Sequence, residues 1–308
     1  MQEKTTRDGF GNGLVKIGAN KDVVVLDGDM SDSTRSEKFA KLYPDRFFSL
    51  GISEADLVCT AAGMSSCGKI PFVSTFAEFL IGRAYDQILV SVCYSKMNVK
   101  LVGSHAGIAT AEDGPTAQSI TDISTTRVMP GMAVIVPADA TEAEKATEFL
   151  AGHKGPAYLR LSRPRSRVIF DDSYKFSFGK AATMADGSDV SIISTGIVLP
   201  EALEAATLLK KSGISAEVIN MATVKPIDKA AVIKAAKKGM IVTCEDGLVN
   251  GLGGAVAEVL GENCPAKLLR IGLDGFAESG SYKDLYKKYG LDAGGIARRV
   301  EEFCAKAK

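Results

Sequence analysis

The sequence predicts an α/β protein of two domains, each a mainly parallel sheet flanked by helices. Three observations lead there. Short β-branched apolar runs alternate with longer stretches of helical period along all 308 residues. Continuous apolar strands separated by helices mark a parallel sheet covered on both faces. The alternation breaks off after LRLSRP, where charges and turn residues collect without a helical period. The length also suits two cores, at roughly 150 residues per domain.

The first domain is expected over residues 1–165, with strands at 22–26, 99–102, 132–136 and 157–161. Its helices are read at 54–66, 79–92, 116–127 and 142–150. Residues 166–188 form the expected linker, long enough to pack along a domain surface. The second domain, 189–308, carries strands at 190–194, 216–220, 239–244 and 267–271. Its helices are read at 199–211, 229–237, 254–260 and 293–305.

Lys and Arg number 37 against 37 Asp and Glu, so the net charge is zero. Nucleic acid or an anionic membrane surface as main partner would favour a positive excess, and neither is expected. The first twenty residues hold no apolar signal core, and no run approaches the ~18 apolar residues of a membrane span. The expected location is the cytoplasm. The six cysteines contain no C-x-x-C pair, and there are only two histidines. Neither a His/Cys metal site nor a disulfide framework is expected.

Glycines 251, 253 and 254 suggest a phosphate loop, but Val256 stands where G-x-G-x-x-G needs its last glycine. They read as a strand-to-helix turn. LGISEADLVCTAAGMSSCGK is more informative, with Ser53 as N-cap and Glu54 opening a helix. Glu54 either favours the positive helix end or sits half-buried where open α/β sheets place ligands. Pattern alone leaves both open. Phe72, Phe76 and Phe79 cluster at the next strand-to-helix junction, where core packing competes with an aromatic pocket. His105 follows a strand, and Glu112-Asp113-Gly114 precede a helix that Pro115 can start.

GISEAD, STFAEF, SHAGIATAEDGPT, MAVIVPADATEAEKA and LRLSRP, followed by VKPID and VTCEDGLVNGLGGAV, form an ordered set. As a set they resemble the thiamin-diphosphate enzymes of the transketolase family. The match is to their pyrimidine-binding and C-terminal domains and covers essentially the whole chain. The resemblance implies that Glu54 hydrogen-bonds the cofactor's aminopyrimidine, with Phe76 and Phe79 as stacking residues. The cofactor then serves as electron sink for carbon–carbon cleavage. A third aromatic of many relatives falls at Gly82. Arg7, Ser33, His105 and Arg163 carry over as sugar-phosphate ligands. Asp113 carries over as the acid on a substrate hydroxyl, and Asp29 as an acid near the cofactor and the dimer contact. The resemblance gives catalytic roles to Glu54, His105 and Asp113. Ala117 stands where many relatives have histidine.

The diphosphate-binding half of such enzymes carries a G-D-G motif followed by metal-holding asparagines. Gly28-Asp29-Met30 is not that motif. The resemblance therefore implies the smaller subunit of a split transketolase, with no metal ligands of its own. Mg²⁺ and the diphosphate would be held by a separate N-terminal-type subunit, in an α2β2 heterotetramer. RAYDQ at 83–87 resembles deoxyxylulose-phosphate synthases. A synthase-like subunit, a 2-oxoacid-dehydrogenase beta-type subunit and a non-catalytic module of the same fold are the alternatives.

Overall fold

The computed structural model describes residues 2–307. The first domain is built on a seven-stranded sheet. From one edge to the other its strands are Thr223–Lys225, Ala133–Ile135, Ala157–Arg160, Lys100–Ser104, Ile70–Phe76, Val23–Asp27 and Phe47–Ser49. All neighbours run parallel except Thr223–Lys225, which comes from the second half of the chain and pairs antiparallel with Ala133–Ile135. The central strands are buried from end to end, as apolar runs covered on both faces should be. Helices Thr6–Ile17 and Ala140–Gly152 cover one face around Phe10, Leu14, Phe72 and Leu159. Helix Glu54–Ser66 and the segment after Phe76 cover the other around Leu57, Val73, Leu80 and Ile88.

The second sheet has five strands, ordered Lys267–Leu273, Met240–Leu248, Val190–Ser194, Ala216–Asn220 and Ala182–Ala185. Ala182–Ala185 pairs antiparallel at the edge, so part of the irregular stretch is strand. Parts of the remainder touch the first domain. Ile169 and Phe170 donate their N–H groups to Asp139, and Phe176 and Phe178 ring Phe149. Apolar contact is continuous between the domains, from Leu57 and Leu80 through Ile193 to Val232 and Val256.

Two expected helices are corrected. The one read at 116–127 begins only at Asp122, as helix Asp122–Val128, and Pro115 does not start it. The Ser119 and Ile120 carbonyls accept from Gly107 and from Leu248 of the second domain, at 2.7 and 2.9 Å, so helical pairing has no hold there. The one read at 79–92 is three pieces, Ala77–Arg83, Tyr85–Gln87 and a π-helical Ile88–Tyr94. The glycine-rich turn leads into helix Leu252–Asn263, whose Leu252 and Gly253 N–H groups both donate to Glu245 at 2.8 Å. With those donors taken by a carboxylate, it is a turn and no phosphate cradle.

Candidate active site

Open parallel sheets gather ligand-binding groups beyond the carboxyl ends of their strands. Here Asp27, Phe76, His105 and Arg163 all lie at or just past such ends. Asp27 organises the first loop. Its buried carboxylate accepts from Met30 N, Thr34 Oγ1, Ser36 Oγ and Ser74 Oγ at 2.6–2.9 Å. This clamp fixes Gly28 and Met30 against the neighbouring strand. Asp29 itself is exposed, at a left-handed φ of 63°.

Glu54 opens helix Glu54–Ser66, and Ser53 stands at the N-cap position, but its hydroxyl donates back to Leu50 O at 3.0 Å. The Glu54 side chain is only 4% exposed. It faces a cavity of about 220 Å³ lined by Gly28, Met30, Ile52, Thr75, Phe76, Phe79 and Arg83. Arg83 Nη1 donates to both Glu54 oxygens at 3.2 and 3.3 Å, while its guanidinium lies 4.2 Å over the Phe79 ring. Gly28 belongs to the cradle, since a Cβ there would come 2.9 Å from Thr75 Oγ1. At Gly82 a Cβ would meet only Glu78, at 3.8 Å, so that wall stays open.

Phe76 joins this cavity to a second cluster. It stacks on His105 at 3.9 Å on one side and lies 6.0 Å from Phe79 on the other. His105 holds a left-handed φ of 57°, and its Nδ1 is 2.7 Å from Ser104 Oγ. Burial, followed by the charges of Arg7, Arg163 and Arg35, pushes its pKa down to about 3. The imidazole is therefore neutral. Its Nε2 faces Arg7 Nη1 at 3.5 Å, which can only donate, so the ring proton belongs on Nδ1.

Arg7 comes from the first turn of helix Thr6–Ile17, which the Thr5–Asp8 capping box fixes. Thr6 Oγ1 exchanges hydrogen bonds with Ser162, bringing Arg7 beside Arg163. Arg7 donates to Ser33 O at 2.6 Å and to Arg163 O at 2.8 Å, and its Nε is buried without an acceptor among the described residues. Desolvation lowers its pKa to about 10. It is thus a buried cation held by carbonyls, with no carboxylate in salt-bridge reach among the described residues. Arg163 instead donates to Glu112 at 2.5 Å and lies 4.0 Å from Asp113. Arg7, Arg163, Glu112 and Ala111 share one cleft with Tyr282 of the second domain.

Of the residues expected from sequence, Glu54, Phe76 and Phe79 share one cavity, while Arg7, Ser33, His105, Asp113 and Arg163 form the adjoining cluster. Asp29 flanks the cavity through Gly28 and Met30. Sequence reasoning missed Asp27 and gave Arg83 no role. It also passed over Gln118, beside buried Ala117, whose amide donates to Ala111 O and to Glu278 O of the second domain.

In this two-domain α/β chain a buried acid faces an aromatic-walled cavity, next to a buried guanidinium that has no carboxylate in salt-bridge reach among the described residues. Residues 2–168 match the transketolase pyrimidine-binding domain, and residues 179–296 the transketolase C-terminal domain. The chain belongs to the transketolase family, whose members depend on thiamin diphosphate. A putative transketolase C-terminal section from Methanocaldococcus jannaschii is 44% identical over 97% of this chain and 96% of its own length. The 6-deoxy-6-sulfo-D-fructose transketolase subunit of a Clostridium species is 40% identical, covering 98% and 95%. Human transketolase is 36% identical over 98% of this chain, which spans 49% of the human protein. A split-gene transketolase solved as an inactive beta4 tetramer superposes with a TM-score of 0.91 at 42% identity, covering 97% of each chain. No helix among the described residues is long and apolar enough to cross a membrane.

Proposed function

We propose that this chain is the smaller subunit of a two-chain transketolase moving a two-carbon ketol unit between ketose and aldose phosphates. The carrying observation is the continuity of two half-sites through Phe76, from the Glu54 cavity to the Arg7 and His105 cluster. The Glu54 cavity fits an aminopyrimidine, with a buried carboxyl for a ring nitrogen and two phenylalanine faces for the ring. Bound there, thiamin diphosphate supplies the electron sink for carbon–carbon cleavage.

Glu54 would hold the ring nitrogen and give or take a proton at that atom. Phe76 and Phe79 would keep the ring flat and exclude water, and Asp29 would border the cofactor and the contact with a neighbouring chain. Arg7 and Arg163, with Ser33, would bind the substrate's terminal anion through charge-assisted bonds. Neutral His105 would accept a hydroxyl proton at Nε2, and Asp113 would take a second substrate hydroxyl. Gly28-Asp29-Met30 departs from the metal motif of the family, so diphosphate and Mg²⁺ fall to an N-terminal-type partner in an α2β2 assembly.

The Clostridium relative named for 6-deoxy-6-sulfofructose favours a second reading, in which the terminal anion is a sulfonate. The test is to combine this chain with a diphosphate-binding subunit and follow two-carbon transfer. Xylulose 5-phosphate, fructose 6-phosphate and 6-deoxy-6-sulfofructose are the donors. Transfer from a phosphate ketose supports the first reading and transfer from the sulfo-sugar alone the second. No transfer from any of them refutes both.

A further inference from the structure

Glu54 already has an occupant. Its carboxylate is buried, and among the described residues the one cation on it is Arg83. The guanidinium is planar, turns one nitrogen, Nη1, to both oxygens, and sets its central carbon 4.2 Å from the centre of the Phe79 ring. An aminopyrimidine held in this cavity would need the same carboxyl, for its ring nitrogen, and the same phenylalanine face. Arg83 is also able to leave. Its side chain is 53% exposed, and it ends helix Ala77–Arg83, with Gly82 placing no side chain beside it.

We propose that Arg83 is an internal occupant of the pyrimidine pocket that must swing off Glu54 and Phe79 when the cofactor ring enters. The inference rests on the thiamin-diphosphate reading above. Arg83 then sets cofactor affinity by competition. It keeps the buried carboxylate compensated while the pocket holds no ring, and its contacts are given up on binding. An ion pair whose cation is half-exposed, together with a cation–π contact, corresponds to about five- to thirtyfold in a binding constant.

The experiment uses the complex of this chain with its diphosphate-binding subunit, titrated calorimetrically with thiamin diphosphate in excess Mg²⁺. Arg83→Ala should bind the cofactor about five- to thirtyfold more tightly than wild type. Arg83→Gln, which keeps part of the stem and removes the charge, replaces it if the alanine variant does not fold, and is read the same way. Unchanged or weaker binding by the variant would overturn the inference and leave the functional reading intact. A wild-type complex that binds no thiamin diphosphate would overturn the functional reading itself.

Discussion

Two acid–arginine pairs in the first domain are finished to different degrees. Arg160 and Asp122 are each 1% exposed and 2.8 Å apart, with Tyr158 Oη donating to the same Asp122 oxygen at 2.7 Å. Arg160 also reaches the Asp246 carbonyl of the second domain at 2.6 Å, so the pair staples the seam. In the Glu54 pair only the acid is sealed, and the arginine opens to solvent. Burial of an acid beside an arginine therefore does not by itself mark chemistry. A pair closed on every side holds the fold together, whereas a pair with one open side leaves room for another group.

The largest expected effect lies at the open pair. Glu54→Gln should lower turnover of the assembled enzyme by roughly 10²–10⁴, the usual loss of one acid–base group, with an unchanged melting temperature. Near-wild-type turnover would reduce Glu54 to a helix-start residue. At the closed pair the response should invert. Asp122→Ala leaves Arg160 buried without its carboxylate and should cost about 3–5 kcal/mol of stability in a denaturant titration. A smaller effect follows at the anion cluster. Arg163→Ala should weaken phosphorylated ketoses by about ten- to a hundredfold in kcat/KM and affect hydroxypyruvate much less. An equal loss for both donors would make Arg163 a fold residue.

The smallest effect is a slope with pH. Burial pushes Glu142, Glu245 and Asp246 up to about 7. Glu142 takes hydrogen bonds from Tyr174 at 2.6 Å and Asn220 at 2.9 Å, and Glu245 caps the helix at Leu252. Each pKa is raised in the folded chain. The stability that protonation contributes is complete below the ordinary carboxyl range and is lost as pH rises through about 7. The melting temperature should fall by a few degrees between about pH 4.5 and pH 7 and level off above that, and Glu142→Gln should remove its share of the fall. A flat wild-type profile would contradict the assignment.

What the sequence made legible follows from periodicity. The helix opening at Glu54 and the strand ending at Ser194 fall where the apolar period puts them. Helix Thr6–Ile17 was hidden because its interior holds three glycines, which weaken any helical pattern. In the fold those glycines permit contact, since a Cβ on Gly9 would strike the Ala140 carbonyl and one on Gly13 the Thr147 side chain. Strand Thr223–Lys225 crosses back to the first sheet, a pairing that no local pattern reports. The site was legible only as an ordered set of motifs. The role of Asp27 depends on four donors converging from separate segments, and that of Arg83 on one guanidinium spanning Glu54 and Phe79.

The central claim is that this chain presents half of a cofactor site. It is tested most directly by assaying ketol transfer with saturating thiamin diphosphate and Mg²⁺, first with the purified chain alone and then with the diphosphate-binding subunit added. The account predicts no turnover from the chain alone and turnover that saturates as the second subunit reaches stoichiometry. Substantial turnover by the isolated chain would contradict it.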